Sequence, residues 1–205
     1  MARSLFCWLA IWSACASSFS VAGDWSNYLG DKARTGFQAN SVGSKLQLSW
    51  TYQSSAKPEK AWSGSRTAPI EGHIMLPRVT FDAAPQMLIA EGRVYFGSTV
   101  DHRLYCRDEK TGKELWSFFT EGPIRLAPAY AFGNVYFGSD DGSVYCLEAT
   151  SGDLIWKYQV GPKDDRLLAR GEMISRWPVR TGVLVDGEVA YFGAGVFPHE
   201  EVYLC

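Results

Sequence analysis

The sequence predicts an all-β chain of repeated four-stranded antiparallel units, the blades of a β-propeller, and three observations carry that prediction. Residues 92–98 read Gly-Arg-Val-Tyr-Phe-Gly-Ser, and residues 133–139 read Gly-Asn-Val-Tyr-Phe-Gly-Ser. Each string leads to a second block that ends on tryptophan, from Cys106 to Trp116 and again from Cys146 to Trp156. Within each copy, short runs of β-branched and aromatic residues alternate with Gly, Asp and Ser turns. The period of about 40 residues is the length of one propeller blade. One blade cannot bury both of its faces, so the unit of stability and function is a ring.

Taken in order, residues 1–22 read as a signal peptide. Arg3 supplies the positive start, residues 5–12 are apolar, and Ser20 and Ala22 are the small residues that a signal peptidase reads. The alternative is a lipoprotein signal with Cys15 as the acylated residue. The apolar run is too short for a permanent membrane span, and no other run of spanning length follows, so the mature chain is expected to carry no membrane span.

Residues 23–84 read as an N-terminal segment. Within it, residues 46–52 alternate apolar and polar positions around Trp50, as an outermost blade strand would. Such a strand is expected to close the last blade of the ring. Blades then fill residues 85–205. The first runs from about Met87 to Phe118. The second has strands at Ile124–Ala129, Val135–Phe137, Val144–Leu147 and Leu154–Tyr158. A third is begun by Thr181–Val185, Val189–Phe192 and Val202–Cys205. A ring needs at least about four blades, so the expectation is an incomplete propeller, truncated at its C-terminus, with two full blades and most of a third.

Charge and special residues exclude more than they assign. The chain carries 22 acidic against 20 basic residues, which argues against a nucleic-acid partner. Cys106 and Cys146 hold equivalent places in successive repeats, too far apart for a disulfide, and read as small buried hydrophobes. His73, His102 and His199 lack metal-ligand spacing and read as solvated loop residues. Asp140-Asp141-Gly142 lacks the alternating ligands of a calcium loop and reads as a plain turn, so no metal site is expected. Neither a nucleophile elbow nor a phosphate loop is present.

The string at 106–116, Cys-x-Asp-x-x-Thr-Gly-x-x-x-Trp, resembles the tryptophan-docking motif of the pyrroloquinoline-quinone (PQQ) repeat family, with cysteine at the usual alanine. The copy at 146–156 keeps Gly152 and Trp156 but has Glu148 and Ser151 for the usual Asp and Thr. Residues 24–36 are also similar to the N-terminal segment of exported bacterial members. The resemblance implies that Gly112, Trp116, Gly152 and Trp156 form a structural girdle, each tryptophan stacking on the glycine turn of a neighbouring blade. It implies periplasmic or secreted localisation. It does not carry the cofactor: PQQ dehydrogenases clamp the quinone with adjacent cysteines beside a calcium ion, and this chain has no adjacent cysteines.

One departure from the repeat marks a candidate site. Residues 161–178 form an extended, charged link that opens on the same face as the turns near Asp101 and Asp140. This link holds Arg176 and Trp177, and Arg125 and Arg180 lie near the starts of the innermost strands of consecutive blades. Superposing Tyr136 on Tyr191 superposes the two arginines, whereas superposing Gly133 on Gly187 misses by one residue, which would turn one side chain to the other face of the sheet. Together they could grip a carboxylate or phosphate; alternatively they pair with Asp82, Asp164 or Asp165 in a structural ring of ion pairs. The expected function is a binding or scaffolding module of the bacterial cell envelope, its partner a protein or an anionic small molecule, with no cofactor and no chemistry of its own. The alternative is a quinone-dependent alcohol or sugar dehydrogenase that uses PQQ with calcium and draws active residues from further blades.

Overall fold

Alternation at period two decides which neighbour each side chain meets. The computed structural model describes residues 23–41, 44–61, 84–169, 171–196, 199 and 201–205, together with the backbone of a short strand pair, β1 (Pro69–Ile70) and β2 (His73–Ile74). The segment 1–22 and Asp82 lie outside the described residues. The first blade is an antiparallel sheet of β3 (Met87–Ala90), β4 (Arg93–Gly97), β5 (Arg103–Asp108) and β6 (Glu114–Phe119). The second repeats it with β7 (Ala129–Ala131), β8 (Asn134–Gly138), β9 (Ser143–Glu148) and β10 (Leu154–Gln159). A hairpin of β11 (Arg166–Ala169) and β12 (Glu172–Ser175) precedes a three-stranded sheet of β13 (Val183–Asp186), β14 (Val189–Ala194) and β15 (Tyr203–Leu204).

Odd and even residues of each strand face opposite neighbours. Tyr95, Leu104 and Cys106 of blade 1 pack with Val135, Phe137, Tyr145 and Leu147 of blade 2. Tyr136, Val144 and Cys146 turn the other way, onto Val183, Val185 and Phe192 of blade 3. Val94, Phe96 and Tyr105 face Trp50 and Tyr52 of the N-terminal segment. Burial of each such side chain stabilises by about 1.5–3 kcal/mol. Glycines set how closely blades approach: a Cβ at Gly97 would overlap Ile124, and one at Gly138 would overlap Val179.

The girdle repeats in detail. Gly112 and Gly152 sit in left-handed turns, at φ +68° and +79°. A Cβ there would stand 2.5 Å from Trp50 and 2.6 Å from Trp116, respectively. The Trp50 indole N–H donates to the Glu109 carbonyl at 2.7 Å, and that of Trp116 donates to the equivalent Ala149 carbonyl at 3.1 Å. The turns themselves are held by carboxylates: Asp108 accepts the Thr111 N–H at 2.8 Å, and Glu148 accepts the Ser151 N–H at 2.5 Å. Glutamate thus does in the second repeat what aspartate does in the first.

Several sequence expectations need correction. The first strand of blade 2 is Ala129–Ala131 rather than Ile124–Ala129. Ile124 is spent reaching back to blade 1, where its N–H donates to the Ser98 carbonyl at 3.2 Å, and Pro128 has no N–H to give a ladder. Residues 46–52 form no strand and pair with none among the described residues, and Leu46 and Leu48 are exposed. Trp50 and Tyr52 of that segment dock on blade 1, and the Ser49 hydroxyl donates to the Lys110 carbonyl at 3.1 Å. His102 is no solvated loop residue: it is mostly buried, stacks on Phe119 at 6.4 Å and faces Glu172 at 3.3 Å. His199 is exposed, and the side chain of His73 lies outside the described residues. Cys106 and Cys146 are buried free thiols.

Candidate functional site

The turn between β8 and β9 is the centre of the candidate face, and it is not a plain turn. Asp140 and Asp141 are both fully buried. Asp141 organises its own blade: it accepts the Ser143 N–H at 2.9 Å, the Tyr145 hydroxyl at 2.6 Å and the Glu121 N–H at 3.2 Å. Burial and this carboxylate raise the Tyr145 phenol far above the ordinary tyrosine range, so it stays protonated as a donor. In blade 1 the Tyr105 hydroxyl donates to Asp101 across the same four-residue spacing.

Asp140 reaches across blades. Its carboxylate accepts a two-pronged contact from Arg180, with Nε and Nη2 each at 2.7 Å, and a third bond from Arg125 Nε at 2.5 Å. The arginine side chains are 7% and 13% exposed and the aspartate 1%, so this is an interior ion cluster. Arg125 also donates to the Glu59 carbonyl at 2.7 Å, which ties in the N-terminal segment. The Asp140 N–H donates to the Pro123 carbonyl, while its carbonyl accepts the Ser175 N–H of the inserted hairpin at 2.7 Å. One residue therefore joins blade 2, the start of blade 3 and the hairpin.

The structure brings Arg125 and Arg180 together, on Asp140 rather than on Asp164 or Asp165. Those two acids lie just before the hairpin. Asp164 pairs with Arg166 at 2.9 Å, and Asp165 faces Lys163 at 3.2 Å and Arg176 at 3.4 Å. Arg166 also pairs with Glu121 on the link out of blade 1, and that hydrogen bond lowers the Glu121 carboxyl below its usual range. Trp177 is not presented to a ligand. It is buried over Gly161 and meets Tyr203 edge-on at 6.3 Å. Arg176 and Arg180 do share the wall of a cavity of about 220 Å³ with Leu167 and Ile174.

Chemically, these groups are suited to joining rather than reacting. A carboxylate bonded on both oxygens to guanidinium groups is neither a base nor a free metal ligand. Among the described residues no three His, Cys, Asp or Glu side chains gather as a metal site. Burial pushes the Cys106 thiol up to about 11 and raises that of Cys146, which keeps both in the unreactive protonated form.

A family model described as outer membrane protein assembly factor BamB matches residues 47–195, spanning both full blades, the hairpin and most of the third sheet. The chain belongs to the PQQ-like repeat family. Among curated proteins with similar PQQ-like repeats, the dehydrogenase subunit of a quinone alcohol dehydrogenase from Gluconobacter oxydans (strain 621H) is 34% identical over 124 residues, covering 54% of this chain and 16% of that protein. The tetrathionate hydrolase of Acidithiobacillus ferrooxidans is 32% identical over 62 residues, covering 30% of this chain and 12% of its own length. The solved quinohemoprotein alcohol dehydrogenase of Comamonas testosteroni superposes with a TM-score of 0.57 at 16% identity, over 84% of this chain and 23% of that one, a likeness of fold alone. The chain thus spans less than a quarter of the length of each of these proteins. No helix among the described residues is long and apolar enough to cross a membrane.

Proposed function

We propose that this chain is part of an exported PQQ-like propeller that serves the bacterial envelope as a protein-binding scaffold. The observation that carries the reading is the use of Arg125, Asp140 and Arg180: the charged groups nearest the candidate face are consumed in joining blade to blade. The family description as an outer-membrane assembly factor supports a protein partner, and the leading residues 1–22 support export.

The second reading is a quinone-dependent alcohol dehydrogenase, favoured by the identity to the Gluconobacter subunit. The residues present do not fit a PQQ and calcium site. No two cysteines are adjacent in the sequence, and Asp140, a fully buried acid of the face, has both oxygens bonded to arginine.

Titration of the full chain with PQQ and calcium separates the readings. A scaffold is expected to gain no bound quinone absorbance and to reduce no dye when ethanol is added. Stoichiometric quinone uptake with ethanol-dependent dye reduction would overturn the proposal.

A further inference from the structure

Residues 24–36 form a closed loop laid across three consecutive inner strands. Trp25 exchanges backbone hydrogen bonds with Ile89 of β3 at 2.7 and 3.0 Å, the Tyr130 N–H of β7 donates to the Ser26 carbonyl at 2.8 Å, and Lys32 pairs with Asp186 of β13 at 2.7 Å. The loop is braced internally by Gly36 N–H to the Leu29 carbonyl at 2.8 Å and Arg34 N–H to the Asp31 carbonyl at 3.0 Å. Leu29 and Arg34 both hold left-handed backbone, at φ 60° and 55°, which non-glycine residues adopt at a cost.

Between this loop and the inner strands lies a cavity of about 200 Å³. One wall is apolar, with Leu126, Pro128, Val183 and Leu184. Two opposite charges of the loop share the lining. The Asp31 carboxylate is held by the Thr35 hydroxyl and N–H, which keep it below its usual range and therefore ionised. Arg34 has no carboxylate partner among the described residues; its guanidinium lies over the Tyr28 ring at 6.0 Å, with Nη2 3.9 Å from the place a Cβ would take at Gly182. Gln86 fixes its own orientation by accepting the Ala127 N–H at 3.0 Å, leaving its amide NH2 as a further donor on the wall.

A lone cation would be matched by Asp31 and repelled by Arg34, and a lone anion the reverse. A molecule carrying both charges beside an aliphatic group satisfies all three surfaces. We propose that this cavity binds a free aliphatic α-amino acid, with its carboxylate on Arg34, its ammonium toward Asp31 and its side chain against Leu126 and Val183. The proposal does not rest on the scaffold reading, since these residues belong to neither the arginine cluster nor the hairpin.

The test is calorimetric titration of the full chain with L-valine, with valinamide, which lacks the carboxylate, and with isovalerate, which lacks the ammonium. L-valine is expected to bind saturably at one site, and each analogue at least about tenfold more weakly. Arg34→Gln should weaken valine by about tenfold or more with unchanged thermal unfolding, and Arg34→Lys should restore part of the loss. Absence of saturable binding, equal binding of either analogue, or parental affinity in Arg34→Gln would overturn the proposal. Methyl shifts that avoid Leu126 and Val183 when valine binds would overturn it as well.

Discussion

Replacing Asp140 by alanine removes one carboxylate and leaves two buried guanidinium groups facing each other. Three charge-assisted bonds are lost, two to Arg180 and one to Arg125. The aspartate is almost fully buried and the arginines nearly so, so water cannot replace it cheaply. Removing one side of such a pair costs about 3–5 kcal/mol. At roughly 2–4 °C per kcal/mol for a chain of this size, melting should fall by about 6–20 °C. Urea unfolding of the full chain, followed by tryptophan fluorescence, measures the loss directly. The decisive comparison is the same substitution placed in an Arg125→Gln, Arg180→Gln background. There Asp140→Ala should cost less than about 1 kcal/mol, because the charges it neutralised are gone. A cost that is small in the parent, or equal in both backgrounds, would refute the claim that this cluster clasps the blades.

Three further outcomes follow from the girdle and the thiols. Gly152→Ala places a Cβ 2.6 Å from the Trp116 ring in a left-handed turn, so it should destabilise by about 2–4 kcal/mol, as measured by urea unfolding, from overpacking and backbone strain together. Glu148 is held down to about 2, chiefly by the Thr150 and Ser151 hydrogen bonds, against an ordinary 4.5. A depressed carboxylate stabilises above its unfolded value and loses that contribution as pH falls, so Glu148→Gln should flatten the loss of stability between about pH 4.5 and 2 in an acid titration. Of the three cysteines after residue 22, only exposed Cys205 should react with a thiol reagent in the native state, with Cys106 and Cys146 labelled after unfolding; mass spectrometry of the labelled peptides checks it.

The blades were legible because their signals are local and repeated. Gly-x-Val-Tyr-Phe-Gly-Ser states a strand whose alternate residues face two different neighbours, and the tryptophan spacing states where the next blade's turn must lie. The arginines were legible as a pair because superposed repeats bring Arg125 and Arg180 to the same height. Their common partner was not, because Asp140 sits in a turn whose composition says only turn. One signal did point to that turn. Asp101 and Tyr105 recur as Asp141 and Tyr145 at the same spacing, and in both repeats the tyrosine hydroxyl donates to the aspartate.

Blade 1 has Thr99 where blade 2 has Asp140, measured from the shared Ser98 and Ser139, so the residue that clasps the blades differs between the two copies of the repeat. Thr99 accepts the Glu59 N–H at 2.7 Å, fastening the N-terminal segment instead of a following arginine. Both contacts converge on Glu59, whose carbonyl takes Arg125 while its N–H reaches Thr99. Equivalent turn positions in the two blades thus meet the same short stretch of chain, one through a hydroxyl and the other through an arginine relay. What a repeat shares fixes the blade. What each copy changes at this turn fixes how that blade is tied to the segments crossing its face, and such ties depend on side chains far apart in sequence that no local pattern can announce.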